Sequence, residues 1–211
     1  MPAPRHAPIT AVLNFATIGI AIISSGLLVA SCGQKQYPRP KGYPRIELPA
    51  HAYQTFKQAG CPFTFEYPAY GKAALVRADS CDLNIRFERL GCTWHLTYQN
   101  FNHTRLQGNK TGRISRTQSF EAYRKLIYKH GPKATEIYET TLRTPAGRGT
   151  FFELYGEVPT SAQVYLSDSL NQAVMVSVYF NTALKNDSLA PVIDFMKADL
   201  RHFANTLRWV P

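Results

Sequence analysis

LNIRFERLGCTWHLTY, residues 83–98, alternates apolar and polar side chains twice over. Leu83, Ile85 and Phe87 alternate with Asn84, Arg86 and Glu88; Cys92, Trp94, Leu96 and Tyr98 alternate with Thr93, His95 and Thr97. A period of two with one apolar side marks a half-buried strand. Two such runs joined by a bend at residues 89–91 predict an antiparallel hairpin with one buried face. The phase puts Cys92 inside with Trp94, as a buried free thiol, and turns His95 to the opposite face.

Downstream, the pattern repeats. Four further strands are predicted over residues 135–142, 150–158, 162–167 and 172–181, with turns at 144–147 and 168–171. In the last, Val174, Val176, Val178 and Phe180 share one face and Met175, Ser177 and Tyr179 the other. Cover on both faces suits a central strand. Two helices interrupt and close the chain. Residues 119–130 carry Phe120, Tyr123 and Ile127 as a stripe with Leu126 at its edge, Ser119 as cap and Gly131-Pro132 as stop. The closing helix starts from a cap at residues 186–188, with Pro191 in its first turn. Leu189, Val192, Ile193, Met196, Leu200, Phe203, Ala204 and Leu207 form its stripe, and Asp194, Lys197, Asp199 and Arg201 are expected to face away.

Upstream, Phe63, Phe65 and Tyr67 predict a strand opened by Cys61-Pro62 and stopped by Pro68. Residues 43–49 suit a short edge strand, residues 51–58 one or two helical turns, and residues 71–80 a loop or ragged strand. The sum is an α+β fold: a mainly antiparallel β-sheet with packed helices, a long C-terminal amphipathic helix, and a PsbP/Mog1-like sandwich as the specific expectation.

The N-terminal part reads differently. Residues 9–31 hold no charged side chain, Arg5 lies upstream, and Leu28-Val29-Ala30-Ser31 runs directly into Cys32. That is the layout of a secretory signal ending in a lipobox. The expectation is removal of residues 1–31, acylation of Cys32 and a lipidated tether over 32–44, followed by one globular domain at 45–211. The transmembrane-anchor alternative is weakened by Gly19, Ser24, Ser25 and Gly26 within the run. Residues 33–44, GQKQYPRPKGYP, hold three prolines and read as a semi-extended leash.

The chain of 211 residues is 45% hydrophobic and 18% charged, the balance of a globular protein. Its formal net charge is +10, and Arg5 is the one charged side chain in residues 1–31, so the remainder keeps +9. A basic surface suits acidic partners, and export excludes nucleic acid. Among the other cysteines, Cys61 and Cys81 each precede a strand and are expected to pair in an oxidising compartment. Arg105, Lys110, Arg113 and Arg116 fall on an expected basic loop, a candidate anion-binding surface.

No catalytic constellation emerges. There is no glycine-rich phosphate loop, no nucleophile elbow, no Cys-x-x-Cys and no His pair at metal spacing. Cys92 with His95 or His130 is the pair to weigh as nucleophile and base, and strand phase turns His95 to the face opposite Cys92. Asp168 and Asp187 lie in Ser/Asn-rich turns, which account for them without calcium. No catalytic residue, metal or cofactor is expected.

Several stretches, taken in order, resemble the GldD gliding-motility lipoproteins of the Bacteroidota. They are the lipobox at Cys32, the 37–43 segment running into 45–49, Cys61-Pro62-Phe63, Phe65-Glu66-Tyr67-Pro68, Tyr128-Lys129-His130, residues 163–169, Tyr179-Phe180-Asn181, residues 186–192, and Trp209. One departure falls at residues 155–162, which look shorter than the family pattern and carry Pro159. The resemblance implies a non-catalytic accessory or assembly protein of the gliding and type IX secretion machinery, lipid-anchored in the envelope and facing the periplasm. Its implied partners are the machinery's envelope proteins and the membrane itself. The residues alone leave a second reading, a periplasmic lipoprotein that binds glycan or a small ligand through the basic loop, Tyr37 and Tyr43.

Overall fold

In the computed structural model, the expected hairpin sits within a larger antiparallel array. The structure describes residues 46–78, 80–105, 111–181 and 186–210, with backbone alone at 104, 105, 111 and 186–188. The signal, Cys32 and the tether with Tyr37 and Tyr43 therefore lie outside the described residues. So do Lys110 and the side chains of Arg105 and of the expected cap at 186–188.

The first strands are β1 (Tyr53–Lys57), β2 (Phe63–Pro68), β3 (Lys72–Leu75), β4 (Leu83–Phe87) and β5 (Cys92–Asn100). A two-rung hairpin follows, β6 (Thr104–Arg105) and β7 (Thr111–Gly112), then helix α1 (Arg116–Tyr128). The meander β8 (Ala134–Thr144), β9 (Gly147–Gly156), β10 (Thr160–Ser167) and β11 (Gln172–Phe180) leads to helix α2 (Asn186–Thr206) and β12 (Arg208–Trp209). Seven strands form one sheet in the order β3-β4-β5-β11-β10-β9-β8, and β1-β2-β12 form a second. Every pairing is antiparallel. The fold is α+β, mainly antiparallel.

The large sheet is two meanders joined side by side, β5 against β11, with Trp94 opposite Val178 and Leu96 opposite Val176. β11 is thus central. Val174, Val176 and Val178 enter one core while Ala173 and Met175 belong to another. On the inner face, α2 and the small sheet together cover Ile85, Trp94, Phe151 and Val164. Phe203 of α2 meets Phe65 at 4.8 Å and Trp94 at 6.1 Å between ring centroids, so the helix bridges the two sheets. On the outer face, α1 packs Tyr123 and Phe120 against Phe152 and Tyr165. Gly91, in left-handed backbone at φ 59°, closes the turn between β4 and β5.

Four local expectations are corrected. Residues 51–58 contain strand β1 and not helical turns. Tyr53 and Phe56, three apart, mimic a helical face, but each meets a distant partner: Tyr53 stacks on His202 and Phe56 on Phe65. Residues 46–50 form no strand. Helix α1 starts earlier than Ser119. Ser115 is its cap, accepting from the Gln118 amide while Gln118 Oε1 accepts from the Ser115 amide. Ser119 is buried in the helix, and Leu126 is 54% exposed. Finally, Lys197 and Asp199 do not face away, being 6% and 0% exposed.

Candidate functional site

Asp199 follows Met196 by three residues and precedes Phe203 by four, which places it beside the apolar stripe of α2. Its carboxylate is buried and held by three groups from residues 51–70. His51 Nδ1 lies 2.6 Å from Oδ1, and the Tyr53 hydroxyl donates to the same oxygen at 2.9 Å. The Tyr70 hydroxyl donates to Oδ2. The rings are fixed in turn: His51 stacks on Phe195 at 4.2 Å and Tyr53 on His202 at 3.5 Å. His202 Nε2 lies 2.7 Å from a Glu66 oxygen. Burial, reinforced by the bond to Asp199, pushes the Tyr53 hydroxyl up to about 12. The same causes raise Tyr70 well above the usual tyrosine range. Both hydroxyls therefore stay protonated and donate.

A carboxylate on a histidine Nδ1 is the orienting half of a hydrolytic triad. Among the described residues no serine, threonine or cysteine is hydrogen-bonded to the His51 ring. Cys92 is buried and its thiol is pushed up to about 12, first by burial and then by the charge of Asp199. Such a thiol is no nucleophile at neutral pH. The chemistry of this cluster is fastening. Sequence reasoning missed it.

The other flank of α2 carries Lys197. Its ammonium lies 3.0 Å from Glu153, donates to the Tyr155 hydroxyl at 3.1 Å and sits over the Tyr155 ring. Burial opposes its charge, but these partners outweigh burial and raise its pKa. Arg201 reaches Glu153 at 3.1 Å and covers the Phe151 ring.

Other sequence candidates scatter. Arg113 and Arg116 are both exposed, the first before the α1 cap and the second opening the helix. Asp168 Oδ1 accepts from the amides of Leu170, Asn171 and Gln172, so it serves its own turn. Cys61 and Cys81 are bonded, with Cα atoms 5.5 Å apart. His95 is on the outer face, opposite Cys92, with Nδ1 2.7 Å from Asn84 Oδ1. No cluster of metal-ligating side chains occurs among the described residues.

The outer face is only partly covered. Helix α1 spans β10 and β11, where the Tyr123 hydroxyl donates to Gln163 and approaches Ser177, and touches β5 where Ser119 donates to Gln99. Over β5 two cavities open, of about 630 Å³ and about 460 Å³. They share Thr97 and Met175 as lining. The larger ends at the loop of the Cys61–Cys81 disulfide, the smaller at His95 and Tyr179.

Comparison with known proteins gives one family. The family model described as gliding motility lipoprotein GldD matches residues 33–209. Among solved structures, cyanobacterial PsbP (CyanoP) from Synechocystis sp. PCC 6803 is similar at 10% identity and a TM-score of 0.43, covering 86% of this chain and 98% of that one. A sequence search of curated proteins gave no match.

Proposed function

The chain belongs to the GldD family of gliding motility lipoproteins, and from that premise we propose that it is a non-catalytic accessory or assembly component of the gliding and type IX secretion machinery. A lipid on Cys32 holds it in the envelope, residues 32–44 act as the leash, and a single domain from residue 45 onward works in the periplasm. The supporting observation is the extent of the family match, which runs from Gly33, next to Cys32, to Trp209. The fastening chemistry around Asp199 agrees with a protein that holds and does not turn over. Two or three acyl chains would anchor such a domain stably, where one would be marginal.

The test is Cys32→Ala in the native host, with membrane fractionation, secretion of type IX cargo and surface spreading scored together. The expected result is release from the membrane with loss of secretion and spreading. Unchanged fractionation would remove the lipid anchor from the account. Release with normal secretion and spreading would remove the accessory role.

A further inference from the structure

Strand β8 ends the large sheet, and among the described residues it pairs with β9 alone. Its 11 residues hold no proline and no lysine, the residues that commonly block an edge. The opposite edge, β3, has only 4 residues. Main-chain phase can be followed across the sheet. The Asp168 amide donates to Gln172, so even-numbered residues of β10 face β11 and odd ones face β9. Carried through Ser167 opposite Arg148 and Gly147 opposite Thr144, this turns even-numbered residues of β8 towards β9. The N–H and C=O groups of Ile137, Glu139, Thr141 and Arg143 therefore point out of the edge, and no described residue bonds to them.

The side chains beside this edge match themselves. Ile137 packs in the outer core with α1, so Glu139, Thr141 and Arg143 share the outer face. Arg124 and Tyr128 both bond Oε1 of Glu139 and leave Oε2 open. Arg143 is exposed and has no ion pair among the described residues. Two copies of one edge strand meet antiparallel about a two-fold axis, where a residue faces itself. An axis at Glu139 would oppose two carboxylates, which destabilises. An axis at Thr141 sets Glu139 opposite Arg143 twice and Thr140 opposite Leu142. About six main-chain bonds close, two at Thr141 and two at each Glu139–Arg143 pair. The overlap stops at Pro145, which has no N–H to give. Tyr138 on the inner face and Tyr128 on the outer are 51% and 43% exposed beside the edge, a residue type that interfaces favour.

We propose that β8 of one copy pairs with β8 of a second about an axis at Thr141, joining the two large sheets into one. The inference goes beyond the accessory role proposed above and does not rest on it.

The test is oxidative cross-linking of Thr141→Cys in cells of the native host, read as mass on a non-reducing gel with the parent chain as blank. Facing residues of a bonded antiparallel pair have Cα atoms about 5.5 Å apart, within reach of a disulfide. Of the native thiols, Cys61 and Cys81 are bonded and Cys92 is buried. Thr141→Cys should give a product of twice the chain's mass. Thr135→Cys, whose two copies would lie about 40 Å apart in this register, should give none. With Thr141→Cys in place, Glu139→Arg or Arg143→Glu opposes like charges and should cut the yield at least about fivefold. Producing both variants in one cell should restore it, because every Arg then faces a Glu. Melting curves of the purified variants verify their fold. The inference is overturned if Thr141→Cys gives no doubled product or links only to a protein of another mass. It is equally overturned if Thr135→Cys links as well, if Arg143→Glu leaves the yield unchanged, or if two folded variants together restore nothing.

Discussion

Asp199 is held by hydroxyls that donate only while they keep their protons. Below the ordinary tyrosine pKa of 10.0, Tyr53 is protonated both folded and unfolded; above it, the unfolded chain ionises first, because the folded value is about 12. Stability is therefore intact at neutral pH and falls as pH rises from about 10 towards about 12. Cys92, raised from 9.0 to about 12, adds to the same decline from lower pH. Urea midpoints at about pH 8 and about pH 11 should drop in the parent and drop less in Tyr53→Phe; equal drops would detach Tyr53 from the effect. Each buried donor left unpaired costs about 1–3 kcal/mol. Asp199→Ala should thus lose about 3 kcal/mol in urea unfolding, and a loss below about 1 kcal/mol would mean that water replaces the carboxylate. Position 199 was readable in one respect, its spacing of three and four from Met196 and Phe203. Its partners were not, since His51, Tyr53 and Tyr70 lie 129–148 residues away in sequence.

At the scale of elements, α2 and the strands were legible because each repeats one contact period over many residues. Leu200, fully buried on the α2 stripe, is central to that repeat. Leu200→Ala should cost about 2–5 kcal/mol by thermal or urea unfolding, and a near-neutral result would mean that the stripe is not what seats the helix. Helix α1 was placed too late in the chain because two serines, Ser115 and Ser119, both resemble caps. Only Ser115 has Gln118 three residues on, the reciprocal partner of a capping box. Ser119 instead turns inward, donating to Gln99 and accepting from Tyr165. Ser115→Ala should lower stability by about 1 kcal/mol. β1 was misread because a five-residue edge strand offers too few positions to separate a period of two from one of 3.6. Its identity comes from β2, Phe56 opposite Phe65.

At the scale of the molecule, strand order was not legible. Nothing local in residues 92–100 points to residues 172–180, yet β5 and β11 pair along their whole length. Helix α1 meets that join from the outer face, where Ser119 donates to Gln99 of β5. The Cys61–Cys81 bond ties the β1–β2 connection of the small sheet to the β3–β4 connection of the large one, across 20 residues. Closing a loop of that size stabilises by about 3 kcal/mol on chain-entropy grounds. Cys61→Ser with Cys81→Ser should lower stability by about that amount in non-reducing urea unfolding. The Asp199 fastening has a mechanical consequence. In the β1–β2 ladder, Tyr53 pairs with Pro68 at one end and Lys57 with Thr64 at the other, nearest the connecting loop. A pull on the chain before residue 51 would peel such a ladder one rung at a time from its open end. His51 and Tyr53 stand at that end, clamped to a helix that spans both sheets. Tension arriving from upstream meets the clamp before the first rung, and the load passes into the core as shear on α2.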